Sequence, residues 1–118
     1  MKLPKVYNLE NDTYNEKKQC YNKALNQLVI ETPTMKVFQS YETLVAYIKN
    51  GKVYVIAKAL EKAPKREWWE GPNTNPNSKT TRKHLYIFLR DYADMNIHSI
   101  RDLKAYVKQG RIIVKKSF

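Results

Sequence analysis

Ser40-Tyr41-Glu42-Thr43-Leu44-Val45-Ala46-Tyr47-Ile48-Lys49-Asn50-Gly51-Lys52-Val53-Tyr54-Val55-Ile56-Ala57 is the stretch whose reading decides the fold. Tyr41, Leu44, Val45 and Ile48 recur at helical spacing, with Ser40 placed to cap a helix and Gly51 to stop it. The same residues divide into strands Lys36–Tyr41, Thr43–Ile48 and Val53–Ala57, with Lys49-Asn50-Gly51-Lys52 as the turn joining the last two. Asn-Gly between β-branched and aromatic runs is the strongest short-range hairpin signal. Val, Ile, Tyr and Thr also suit a pleated surface. The turn chemistry favours a hairpin around residues 43–57, with the helix as the competing fit.

An internal echo pulls the other way. Residues 40–59 align without gaps on residues 99–118, so that Ser40, Leu44, Ala46, Tyr47, Lys49, Gly51 and Val55 match Ser99, Leu103, Ala105, Tyr106, Lys108, Gly110 and Val114. The second copy reads as a helix: Ser99 caps it, Asp102 sits at its third position, and Gly110 can take the positive φ of a stop. Duplication and convergent patterning both fit the echo.

Outward from this region, Thr13 and Glu16 have the spacing of a capping box. Behind them Tyr21, Ala24, Leu25 and Leu28 form a helical stripe, predicting a helix over 14–28. Val29-Ile30-Glu31 then reads as extended before Pro33. Residues 67–78 are a long polar loop rich in Gly, Pro and Asn. The clearest helix spans 80–93, with Leu85, Phe88, Leu89 and Tyr92 inward. A second helix spans 100–109, with Ile100, Leu103 and Val107 inward, and a strand follows at 111–115. The expectation is a single α+β domain over 1–118: an N-terminal helix, a small antiparallel sheet over 29–58, and two C-terminal helices.

The chain carries a formal net charge of +11 and a single cysteine. Cys20 cannot form an internal disulfide, which fits a reducing compartment. No window approaches about 18 apolar residues, and Met1-Lys2-Leu3-Pro4-Lys5-Val6 lacks an apolar signal core. The expectation is a cytoplasmic protein without a membrane partner. Residues 1–60 hold nine Lys, no Arg and five acids, while 61–118 hold eight Lys, five Arg and six acids. Arginine forks match phosphate oxygens in pairs, so a polyanion-binding surface is expected in the second half.

Lys79, Arg82 and Lys83 stand in the first turn of the 80–93 helix, against the positive end of its dipole. Each such charge is unfavourable by ~0.3–1 kcal/mol at a surface. Cations kept there are expected to await an anion. At 100° per residue, Arg82, Lys83, Tyr86 and Arg90 fall in one arc beside the buried stripe, which Lys79 extends. Arg101, Lys104 and Lys108 share one face of the next helix. Two cationic faces free of acids suit phosphate tracking, where an ordinary solvated face mixes signs. Helix, turn, helix and strand is also the order of a winged helix-turn-helix, in which Arg101, Lys104 and Lys108 would enter the major groove, although the turn lacks its usual glycine. Lys65, Arg66, Trp68 and Trp69 combine cations with rings that could stack unpaired bases.

Catalysis finds no footing in the residues. His84, His98 and Cys20 give no zinc spacing, and three glycines cannot form a phosphate-cradling loop of the usual kinds. No nucleophile stands beside a base and no carboxylates pair. His84 reads as a half-buried structural histidine. No catalytic residue, metal or cofactor is expected.

Ser40-Tyr41-Glu42-Thr43-Leu44-Val45-Ala46, followed by Thr80-Thr81-Arg82-Lys83-His84 and Phe88-Leu89, resembles a family of small uncharacterised bacteriophage and prophage proteins. Its pattern is Ser-Tyr-x-Thr-x-Val-Ala, a hairpin, then Thr-Thr-x-Lys-His-x-x-x-Phe-Leu. The resemblance covers residues 36–93 and departs from the pattern in a 67–77 insertion. It implies a phage or mobile-element accessory protein and supports the hairpin. The leading expectation is a non-enzymatic DNA- or RNA-binding protein. The alternative is an anti-defence inhibitor, similar to anti-CRISPR proteins, that binds a host protein or its ribonucleoprotein.

Overall fold

Asn50 and Gly51 both take positive φ, at 52° and 73°. That is the backbone of a two-residue type I′ turn, and it joins β4 (Thr43–Lys49) to β5 (Lys52–Ile56) as an antiparallel hairpin. The computed structural model describes residues 4–62, 67–71 and 74–118. Before the hairpin run β1 (Lys5–Asn15), β2 (Cys20–Glu31) and β3 (Met35–Ser40). After it come 3-10 turns at Ala57–Leu60 and Trp68–Glu70, α1 (Lys79–Ala93), α2 (Ile100–Lys108) and β6 (Ile112–Lys115). The strands form one six-stranded sheet in chain order. β1 to β5 are an antiparallel meander, and β6 joins β5 in parallel after the helical crossover.

Two expectations about the fold are overturned. Residues 14–28 form no helix, and the sheet is the dominant layer rather than a small hairpin unit. Ala24, Gln27 and Val29 are buried, whereas Asn26 between them takes φ 63°. The β1–β2 register slips between Asn8 and Glu10, so β2 carries extra residues there. A bulge in a strand turns alternate burial into a spacing of three, and that imitates a helical stripe. Asparagine tolerates the left-handed conformation the bulge needs. (The side chains of Tyr21 and Leu25 lie outside the described ones.) The winged-helix order also fails, because β6 completes the large sheet beside β5 instead of forming a wing.

Val29, Phe38, Ala46 and Val55 are consecutive cross-strand partners, all fully buried beneath the helices. Val45 is an extra residue opposite the Phe38–Gln39 step, and this second bulge turns it into the core as well. α1 sets Leu85, Phe88 and Leu89 against this face, with the Phe38 and Phe88 rings 5.5 Å apart. α2 contributes Leu103, buried in the same cluster with Ile97, Val53 and Ile112. The two stretches carrying the resemblance meet here: Ser40 Oγ and Thr81 Oγ1 lie 2.8 Å apart, both buried. No helix among the described residues is long and apolar enough to cross a membrane.

Candidate nucleic-acid interface

α1 begins where Ser78 Oγ accepts the Thr81 N–H at 3.1 Å. Ser78 and the preceding Asn77 are themselves buried, and the Thr81–Ser40 contact ties this first turn to β3. With Thr81, His84, Leu85 and Phe88 turned inward, Lys79, Lys83, Tyr86 and Arg90 fall on the outward arc. These residues and Arg82 line a cleft of about 720 Å³, completed by Thr80, by His98 from the chain leading into α2 and by Ile100 at the start of that helix. Among the described residues the lining holds four cations and no carboxylate.

The two guanidinium groups are braced. Arg82 donates from Nε to the Ala59 carbonyl at 3.0 Å, and from Nη2 to the Glu61 carbonyl. It thereby closes the end of the first 3-10 turn, where carbonyls lack helical partners. Arg82 is therefore not simply a cation waiting for an anion, as its place in the first turn implied. Arg90 donates from Nη1 to the Ile97 carbonyl at 3.1 Å and to His98 Nδ1 at 2.8 Å. His98 Nε2 lies 2.9 Å from Asn96 Oδ1, so these contacts require the neutral tautomer with its proton on Nε2. The charges of Arg82 and Arg90 thus enter the cleft in fixed positions, while Lys79 and Lys83 reach it from exposed stems.

Tyr86 stands among them half-buried. Burial pushes its phenol above the usual range; Arg82 opposes this and Asp102 adds to it. Tyr86 is therefore a neutral hydroxyl donor at ordinary pH. Asp102 has Oδ2 committed to the His98 backbone N–H at 2.9 Å. A recess with braced guanidinium groups, two ammonium groups and a phenol O–H can bind an anion through charge-assisted hydrogen bonds.

The structure gathers Lys79, Arg82, Lys83, Tyr86 and Arg90 as the helical projection proposed. Arg101, Lys104 and Lys108 are exposed on α2 and do not line the cleft. Trp69 is 68% exposed. Lys65, Arg66 and the Trp68 side chain lie outside the described residues. His84 is more deeply buried than expected, with Nδ1 donating to the Thr80 carbonyl at 2.8 Å. Sequence reasoning missed His98 as a cleft wall, because a connecting segment carries no periodicity to aim its side chains, and it read Ile100, the first residue of α2, only as an inward position.

The fold and the cleft define an α+β protein in which one helical layer on a bulged sheet carries a cation-lined recess. Residues 7–105 match a family of unknown function, DUF8033, and the chain belongs to that family. No curated protein and no solved structure matches the chain.

Proposed function

We propose that this protein binds nucleic acid by phosphate contacts, with the α1 cleft as the principal site. The observation that carries this reading is the lining itself, with Lys79, Arg82, Lys83 and Arg90 and, among the described residues, no carboxylate. Clustered cations suit a polymer that presents phosphates one after another better than single carboxylates scattered over a protein partner. Exposed Arg101, Lys104 and Lys108 extend the cationic surface for a polymer longer than one phosphate. The reading is non-enzymatic and cytoplasmic, in keeping with the lone Cys20 and the resemblance to phage accessory proteins.

The test is fluorescence anisotropy with labelled single- and double-stranded oligonucleotides across a salt series. The logarithm of the binding constant should fall linearly with the logarithm of salt, with a slope near −0.9 per duplex phosphate contact or −0.7 per single-strand contact. Lys79→Gln with Lys83→Gln should weaken binding and flatten that slope. Absence of binding to either ligand at about 50 mM salt would sink the reading.

A further inference from the structure

The sheet face turned away from the helices is only partly covered. Ile30, Val37, Tyr47, Tyr54 and Ile113 follow one another across β2 to β6 as register partners, on the side opposite the buried Val29–Phe38–Ala46–Val55 row. Leu44 and Ile113 are exposed, at 41% and 37%. Strands β3 to β6 contain no Asp or Glu, and Lys49, Lys52 and Lys115 stand exposed among these apolar residues.

The aromatic groups form a row. The Tyr47 and Tyr54 rings stack at 4.5 Å with 14° between their planes. Phe118 meets Tyr47 edge-on at 4.9 Å, and Lys115 Nζ lies 5.2 Å from the Tyr54 ring centre. Beside this row lies a recess of about 320 Å³ with Met35, Val37, Leu44 and Phe118 as apolar walls and Lys49 and Lys115 among its lining. That volume is at the lower end of small-ligand pockets, which start at about 300 Å³.

From this arrangement we infer that the helix-free sheet face binds an unpaired nucleic-acid strand, bases against the Tyr47–Tyr54–Phe118 row and phosphates on Lys49, Lys52 and Lys115. An unpaired strand offers both complementary elements at once, flat apolar bases and regularly spaced negative charge. A duplex hides its base faces and would leave the rings and the recess unused. A second copy related by a two-fold axis would set the same patch against itself, lysines facing lysines. Lys115 is the moving part. In the free protein it covers the outer face of Tyr54, and on binding its flexible stem carries the ammonium to a phosphate while a base takes its place on the ring. This site is separate from the α1 cleft and stands or falls separately.

The test compares a labelled oligothymidylate and a duplex of equal length against three variants. Lys49→Gln, Lys52→Gln and Lys115→Gln together should weaken oligothymidylate binding at least tenfold and make its salt slope shallower by about 2, at roughly 0.7 per lost contact. Tyr54→Leu should lose about tenfold in affinity, in a way salt does not rescue, because stacking is not electrostatic. Photo-cross-linking of a halogenated-uracil oligonucleotide should map to Tyr47, Tyr54 or Phe118, a readout on the unaltered protein. Unchanged oligothymidylate binding in the lysine variant, or cross-links confined to α1, would overturn the inference. So would a dimer in light scattering that Leu44→Lys dissociates, since the face would then be a self-interface. Loss of duplex binding in the Lys79→Gln, Lys83→Gln variant beside intact oligothymidylate binding in the open-face variant leaves the cleft reading and removes this one. The reverse pattern removes the cleft and leaves the open face.

Discussion

Val55 on β5 and Val114 on β6 stand opposite each other as parallel partners. Their separation along the chain is the one that relates the two copies of the internal echo, so the second strand of each copy pairs with its own counterpart in register. Each follows a left-handed glycine at the same distance, Gly51 with φ 73° and Gly110 with φ 77°. Ahead of those glycines the copies diverge into strand β4 and helix α2. Asn50 takes φ 52° and makes a hairpin turn, while its counterpart Gln109 stays right-handed at φ −75°. Gly110 then closes a Schellman motif: its N–H reaches the Val107 carbonyl, the Arg111 N–H reaches the Tyr106 carbonyl, and Arg111 lies over the Tyr106 ring at 4.8 Å.

A Cβ added at Gly51 or Gly110 meets nothing within 4 Å, so substitution strains the backbone alone. Gly110→Ala and Gly51→Ala should each lower stability by roughly 1–2 kcal/mol, the usual cost of left-handed backbone for an L residue. Asparagine at either position should recover part of that loss. Urea denaturation reads the effect, and an unchanged midpoint for the alanine variants would refute the assignment.

Gln27 is 1% exposed, and among the described residues neither its amide nitrogen nor its amide oxygen has a hydrogen-bond partner. Burying an unpaired amide costs about 1–3 kcal/mol by mutational measures. Gln27→Met keeps the length of the side chain and removes both polar atoms. The variant should be more stable by about 1 kcal/mol, seen as a higher urea midpoint with the same m value. A clear loss of stability would show that the amide is satisfied in solution.

Arg82 and Lys79 should separate stability from binding. Arg82→Gln removes the bonds to the Ala59 and Glu61 carbonyls. It should destabilise by about 1–2 kcal/mol, the lower part of the range for charged hydrogen bonds because the group is half-exposed. Lys79→Gln, at an exposed position, should stay within about 0.5 kcal/mol of the parent while weakening polyanion binding. Equal thermal stability of the two variants would contradict the bracing role of Arg82.

Alkaline pH probes two phenols. Burial raises Tyr7, with Tyr92 and Glu31 adding to the effect, and burial likewise raises Tyr86. In both, the folded protein holds the proton more tightly than the unfolded chain, whose tyrosines titrate near 10. Their contribution is thus complete below about pH 10 and is lost as pH rises through the folded values. Tyrosinate absorbance should show two late-ionising groups, and stability should fall above pH 10. Tyr7→Phe should make that fall shallower. Titration of all tyrosines in a single ordinary step would argue against the effect.

Much of the candidate site could be read from the chain because it lies on one helix. Once Ser78 caps α1, rotation by a fixed angle per residue places Lys79, Lys83, Tyr86 and Arg90 together, and the cleft forms where that arc meets the entry to α2. His98 escaped because the connecting segment has no repeat to orient it. The Tyr47–Tyr54 stack escaped for a different reason. Opposition across strands depends on register, which neither residue's own segment specifies.

Features that close within a few residues follow from the order of the amino acids alone. Asn50-Gly51 commits the chain to a two-residue turn, and Ser78, Ser99 and Gly110 mark helix ends through hydrogen bonds to near neighbours. That Cys20–Glu31 is a strand follows from long-range pairing, since its spacing fits a bulged strand as well as a helix and the choice rests on backbone partners in β1 and β3. Long-range packing likewise sets β6 parallel to β5 and brings the carbonyls of a distant turn to Arg82. A strand finds its hydrogen-bond partners far along the chain, whereas a helix finds them within its own next turn.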